Sequence, residues 1–386
     1  MRQPHGPTRE RHRRHGEANA AAGAAFGPER PRADSIPPTW QGIPPGMRPT
    51  LHPRLLNGRS GDPGLYLEAL HLPEAILLDC GDLATLSPRH LLRVGVVAVS
   101  HTHMDHWAGF DRLLRLLIGR ERTLPLVGPA GFAERLFHRL QSYTWNLAER
   151  IPSDLAFEVT EVAGGGAELP RTRLRLHTRF RPEPLPPLPA APDGTVLRPG
   201  GLLRLRAAVL DHGTPCLGFA VEEAMHLNVW RTRLEARGLP TGPWLAALKA
   251  AVAEGRPDDH PVPVYARAAE ARRAPVLPLG ELRELVGVTP GQRLAYLTDF
   301  ADTPENRAAA VALARDADIL FVEAPFAAAD AALAADRRHL TTRAAGEIAR
   351  AAGARRIEPF HFSPRYLGQE ARMLAEVAAA AGRDSL

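Results

Sequence analysis

Lysine is all but missing from this 386-residue chain: Lys249 is the only one, and arginine supplies the other 47 of the 48 basic residues. That bias, alongside 37 prolines and abundant alanine, fits codon usage in a GC-rich genome. Arginine content is therefore no argument for nucleic-acid binding. Two cysteines, Cys80 and Cys216, exclude a disulfide framework, which a chain of this length does not need. They agree with a reducing, cytoplasmic location. Long apolar runs are absent as well. None approaches the ~20 residues that span a bilayer, and the best, Val94 to Val99 and Ala75 to Leu78, have strand length. The basic N-terminal stretch is not followed by the apolar core of a secretory signal. A soluble protein without membrane attachment is expected.

With 45% hydrophobic and 24% charged residues, the chain can bury a large core as one long domain or two ordinary ones, which excludes a disordered or fibrous protein. The net charge of +5 permits an anionic partner without proving one. Residues 1–48, rich in Arg and Pro and without apolar periodicity, read as a disordered tail. From residue 49 to 386, strands alternate with helices. Gly64 to Leu70, Ala75 to Asp79 and Val94 to Ser100 read as strands, the last apolar enough to be buried on both faces. Asp105 to Gly119 reads as a helix with Phe110, Leu113, Leu114 and Leu117 on one stripe, and Pro129 to Tyr143 as another. Leu155 to Val162, Arg171 to Phe180 and Leu203 to Leu210 read as strands, and the proline-dense stretch Arg181 to Gly200 as a loop. Residues 222–258 interrupt the pattern as an inserted arm. Strands at Leu294 to Asp299, Ile319 to Glu323 and Arg356 to Phe360 then alternate with helices. The fold class is α/β, a two-sheet core with helices outside.

The chemistry concentrates in Ser100-His-Thr-His-Met-Asp-His-Trp-Ala-Gly109. His101, His103, Asp105 and His106 are all metal-binding residue types, packed into six positions after a buried strand. A chance match to that pattern is on the order of one in a thousand per chain. One motif cannot close two metal sites, and His212, Asp299 and His361 each follow or end a further strand. The seven residues divide into His101, His103 and His212 on one ion, Asp105, His106 and His361 on the other, with Asp299 between them. Nitrogen and oxygen donors without thiolate favour two Zn²⁺, with Mn²⁺ as the other candidate. Cys216 reads as a small buried thiol. His103 stands where a redox di-iron site would want a carboxylate, so hydrolysis is the expected chemistry.

At these residues the chain resembles the metallo-β-lactamase superfamily and, within it, the ribonuclease Z family (tRNase Z), endonucleases that trim 3′ trailers from tRNA precursors. The similarity extends over residues 75–366. It is carried by Ser100 to Gly109, Leu210 to Phe219, Leu297-Thr-Asp299, His339-Leu-Thr-Thr342 and His361-Phe-Ser-Pro-Arg-Tyr366. The resemblance implies a four-layer αβ/βα metallo-β-lactamase sandwich with a short inserted arm, a metal-dependent phosphodiesterase activity, an RNA substrate (pre-tRNA) and a homodimer. It makes His339 the proton donor to the departing 3′ oxygen, Glu323 its orienting carboxylate, and Asp105 a ligand that also orients the attacking oxygen. It also makes Asp79 the aspartate behind the histidine cluster. Gly238, Pro240, Gly242 and Pro243 are similar to the family's G-x-P-x-G-P element, which with Lys249 would touch RNA. Departures are visible too. The glycine-rich turn that opens the family is not evident near residues 57–64, Gly81-Asp-Leu-Ala-Thr85 replaces Gly-Glu-Gly-Thr, and the arm is short. The other reading consistent with these departures is hydrolysis of a small phosphodiester, a cyclic nucleotide or a lactone on the same fold.

Overall fold

The computed structural model describes residues 50–386 except 71, 202, 224, 225 and 290. The tail expected over residues 1–48 lies outside the described residues.

Apolar runs without alternation set the centre of the molecule. Ala75–Leu78, Val94–Ala98, Arg122–Pro129 and Leu155–Val162 pair parallel to one another, and all of Ala75–Leu78 is buried, as strands covered on both faces require. Antiparallel neighbours extend this sheet to eight strands in chain order. Leu51–Leu55 and Leu65–Ala69 lie on one side, Glu168–Arg175 and Pro182–Pro189 on the other. A second sheet has six strands in the order Arg356–Phe360, Ile319–Glu323, Arg293–Leu297, Pro215–Glu223, Leu203–Asp211, Thr195–Leu197. The first three of these run parallel.

Helices cover one face of each sheet. The stripe Phe110, Leu113, Leu114 and Leu117 of helix Phe110–Leu117 is buried and packs with helix Phe132–Gln141 around Leu77, Val97, Leu124 and Phe157. Helices Pro304–Ala314, Thr342–Ala351 and Glu370–Ala380 cover the second sheet around Leu297, Leu320 and Ile357. The opposite faces carry Leu65, Leu67, Ile76 and Leu78 on the first sheet and Leu217, Phe219, Leu294 and Tyr296 on the second, all buried. Between them the Leu217 N–H donates to the Ser100 carbonyl at 2.9 Å. The two sheets thus stack face to face in the expected four-layer sandwich. Among the described residues, no helix is long and apolar enough to cross a membrane.

Four local expectations change. The stretch Arg181 to Gly200 is not a loop: it contains the strands Pro182–Pro189 and Thr195–Leu197. Proline cannot donate to a ladder, but Pro182–Pro189 is the outermost strand of its sheet, where one side needs no donors. The helix expected from Asp105 to Gly119 is broken into Met104–Trp107 and Phe110–Leu117, and the one expected from Pro129 begins at Phe132, because Pro129 ends a strand. The interruption expected over residues 222–258 reaches further, to the pairing of His226–Val229 with Val286–Thr289. Its later part holds the short strands Pro261–Pro263 and Val276–Pro278, too brief and proline-rich to show a period.

This inserted unit has its own core of Leu234, Trp244, Leu248, Val262, Leu279 and Leu282. Trp244 is fully buried and its indole N–H donates to the Pro240 carbonyl at 2.8 Å. Trp244→Ala is expected to cost the unit about 3–5 kcal/mol, read as early protease cleavage between residues 230 and 285 while the sandwich stays resistant. Cleavage spread evenly over the chain would show that the unit has no separate core.

Candidate metal centre

Strand ends of both sheets open onto one cleft of about 660 Å³, lined by His103, Asp105, His212, Asp299, His339 and His361. His101 and His106 are buried beneath it, their rings 4.4 Å from His103 and 5.4 Å from His361 between centroids. The motif loop leaves strand Val94–Ala98 and enters helix Met104–Trp107 directly after His103. Gly81 lets this loop close: a Cβ there would lie 2.2 Å from the Asp105 carbonyl oxygen, an approach only glycine permits. Three site residues at strand ends are left-handed, Asp79 (φ 55°), Asp299 (φ 48°) and His361 (φ 60°). That conformation costs on the order of 1–3 kcal/mol for a side chain other than glycine and persists where surroundings enforce it.

Hydrogen bonds fix which ring nitrogen faces the centre. Asp79, fully buried, accepts from the Ser100 N–H at 2.7 Å, the Ser100 hydroxyl at 2.8 Å and the Tyr296 hydroxyl at 3.0 Å. Its Oδ2 also lies 2.8 Å from His106 Nδ1. The Nδ1–H of His212 donates to the Arg338 carbonyl at 2.8 Å, which leaves Nε2 turned toward Asp299. Such outer contacts set the tautomer of a metal-ligating histidine. Nε2 of His101, His106 and His212 lie 3.7, 3.3 and 3.6 Å from Asp299 Oδ2. His361 Nε2 lies 3.3 Å from Asp105 Oδ2 and 3.7 Å from Asp299 Oδ1.

Two ligand groups follow. His101, His103, His212 and Asp299 have donor atoms mutually within 4.8 Å, and so do Asp105, His106 and His361. Nε2 of both His101 and His106 is buried without a hydrogen-bond partner, an arrangement that a cation between them and Asp299 would satisfy. The residues therefore fit a pair of divalent ions. Burial, then His106, pushes His101 down to about 2; burial, then His212, lowers His103. Both are thereby neutral imidazoles, the form that binds metal. For Asp105 burial acts upward but is outweighed by the His361 hydrogen bond and by His106, which hold it at about 2. Cys216 is a buried thiol, raised by burial and then by Asp299, and its S–H donates to the Thr298 carbonyl at 3.3 Å.

His339 stands on the cleft wall with Nδ1 2.8 Å from Glu323 Oε2. Glu323 is fully buried and its Oε1 accepts from the Phe300 and Leu340 N–H groups at 3.1 and 3.2 Å. Although Glu323 lies near a third cluster with Asp299, His339 and His361, its oxygens are committed to these donors. For His339, burial works downward, but Glu323 outweighs it and raises the ring to about 9. Glu323 thus favours the charged form of the ring.

The arm residues do not join this cluster. Gly238 (φ 64°) follows helix Arg231–Ala236, Pro240 holds the Trp244 indole, and Pro243 caps helix Trp244–Ala253. A Cβ on Gly242 would lie 2.1 Å from the Tyr265 carbonyl oxygen. Lys249 is half-buried, its ammonium lowered by burial with Glu223 opposing. Each of these placements has a reason inside the unit. Sequence reasoning missed Ser100, Tyr296 and Thr298, the last donating to Asp299 at 2.7 Å. Ser100 adjoins the motif and was within reach of it; nothing in the residue type of Tyr296 marks it.

The chain is 36% identical over 313 residues to a Deinococcus radiodurans protein named Ribonuclease Z, covering 79% of this chain and 87% of the relative. A Cronobacter sakazakii protein named Ribonuclease BN is 30% identical over 320 residues, 78% of this chain and 84% of the relative. Among solved structures, the metallo-β-lactamase fold protein YhfI of Bacillus subtilis covers 84% of this chain and 91% of its own, with a TM-score of 0.47 and 15% identity. No protein-family model matches the chain.

Asp79→Asn keeps a residue tolerant of the left-handed backbone and removes the charge behind His106. It is expected to weaken metal affinity by roughly 10- to 100-fold, measured by titration against a competing chelator. Unchanged affinity would leave Asp79 a packing group only.

Proposed function

Because the chain belongs to the ribonuclease Z family, we propose that its cleft hydrolyses a phosphodiester bond of precursor tRNA, releasing the 3′ trailer, with two Zn²⁺ or Mn²⁺ as resident ions. The observation that carries this reading is the meeting, in and beneath one cleft, of seven metal-type donors and a histidine held by a buried carboxylate. His101, His103 and His212 would hold one ion, Asp105, His106 and His361 the other, and Asp299 would touch both.

Two divalent ions in such a set supply an acidified water and charge to stabilise the phosphoryl oxygens. The chain's own residues do the rest. Asp105, ionised and facing the cleft, accepts a hydrogen bond from the attacking oxygen and so fixes its direction. His339, anchored through Nδ1 by Glu323, presents Nε2 to the departing 3′ oxygen and delivers a proton to it. Glu323 cannot turn away, because two backbone N–H groups hold its other oxygen. Arg337 and Arg365, on the cleft lining, offer cationic contacts to neighbouring phosphates.

Recognition of the tRNA body falls to the inserted unit, shaped by Gly238, Pro240, Gly242 and Pro243 and carrying Lys249 beside them. The homodimer and the cytoplasmic location belong to the same reading.

His339→Ala is expected to lower cleavage of a pre-tRNA by about 10²- to 10⁴-fold while the metal content stays at the parent value. Removing the ions with a chelator should abolish trailer removal, and Zn²⁺ or Mn²⁺ should restore it. Turnover of bis-p-nitrophenyl phosphate without any trailer removal would sink the tRNA assignment and point to a small phosphodiester.

A further inference from the structure

Where the family has a glycine-rich turn, this chain runs through residues 56–64, and that segment is tied to both sheets. On its own side the Leu56 N–H donates to the Gly64 carbonyl at 2.9 Å, and the Asn57 amide donates to the Asp62 and Asp82 carbonyls at 2.8 and 2.9 Å. Toward the second sheet and its covering helix, the hydrogen bonds and ion pairs of this segment among the described residues are made by Arg59. Its carbonyl accepts from the Phe362 N–H at 2.7 Å and its guanidinium donates to the Pro359 carbonyl at 2.6 Å. The same guanidinium reaches Glu358 at 2.7 Å and Glu370 at 3.1 Å.

These contacts bracket His361, gripping residues 358 and 359 before it and 362 after it. His361 needs such a grip. It is left-handed at φ 60°, a conformation that must be enforced by its surroundings. Its side chain also lacks the Nδ1 support given to His106 and His212. His106 is held through Nδ1 by Asp79 and His212 by Arg338, whereas the only hydrogen bond of the His361 side chain among the described residues is through Nε2 to Asp105. With no hydrogen bond at Nδ1 among the described residues, the direction of His361 rests on its backbone, which Arg59 holds on one side while the Ala324 N–H donates to the Phe360 carbonyl at 2.9 Å and the Ser363 N–H to the Pro325 carbonyl at 3.1 Å on the other. The planar fork of an arginine suits this task, since it serves two acceptors and a carbonyl at once.

We propose that Arg59 is a positioning residue for the ion held by Asp105, His106 and His361, acting across the two sheets through the backbone around His361. This rests on the ligand set given above. Arg59→Ala is expected to weaken zinc binding at one of the two sites by roughly 10- to 100-fold, as loss of a ligand's support does elsewhere, and to leave the other at parental affinity. The readout is the number of zinc equivalents retained on titration with a competing chelator, measured beside the melting temperature of the metal-free protein. One equivalent retained at a chelator level where the parent holds two, with little change in metal-free melting, is the expected result. Arg59→Lys keeps the cation but not the fork, and should show the same selective loss; it serves as the variant if Arg59→Ala does not fold. Two equivalents retained by the variants, or two lost together, would overturn the role of Arg59 alone. A parent protein that binds no zinc would overturn the ligand set, and this role with it.

Discussion

Two carboxylates that have left water, Asp79 and Asp299, govern how the rest of the site is built. They are 0% and 2% exposed, and an uncompensated carboxylate at that depth costs several kcal/mol. Asp79 is met by two hydroxyls, an N–H and the His106 ring. Among the described residues Asp299 meets the Thr298 hydroxyl and a ring of imidazoles at 3.3–3.7 Å, at or beyond the outer edge of hydrogen-bond distance. One aspartate is satisfied by protein and the other is spaced for cations. The difference divides the site into a supporting layer and a working layer.

The sandwich exists in the form it does because those groups arrive from different places in the chain. Tyr296 reaches Asp79 from the other sheet, 217 positions away, which requires strand ends of the two sheets to meet face to face. Left-handed residues at three of those ends turn their side chains into the gap. A loop could supply the same residues, but not hold so many charged or polar groups against one another; strands with fully buried flanks can.

Legibility from sequence followed how local each feature is. His101 to His106 is dense enough to stand out alone, and His212, Asp299 and His361 were found because each directly follows or ends an apolar strand. Tyr296 and Thr298 were not, since their part in the site comes only from the apposition of two sheets. Proline density between residues 182 and 189 argued against a strand, and only its place at the sheet's edge makes a strand permissible. Periodicity ends the inserted unit at residue 258 because three-residue strands carry no period, although their pairing closes the unit's far side. The helix break at Gly109, where a Cβ would lie 2.1 Å from the Gly81 carbonyl oxygen, and the late helix start after Gly131, whose φ is 81°, depend on features that periodicity does not reveal.

The single lysine acquires a practical meaning from its position. Beyond the chain's α-amino group, Lys249 is the one primary amine in the protein, and it sits on helix Trp244–Ala253 within the inserted unit. Apart from that α-amino group, amine-directed chemistry therefore addresses that unit and no described part of the sandwich. Because the ammonium is half-buried and its protonation lowered, the free-base fraction that reacts is larger than for a lysine in open solvent. A dye or crosslinker placed there would report on the inserted unit from one known point, in a protein whose 47 arginines stay silent to the reagent.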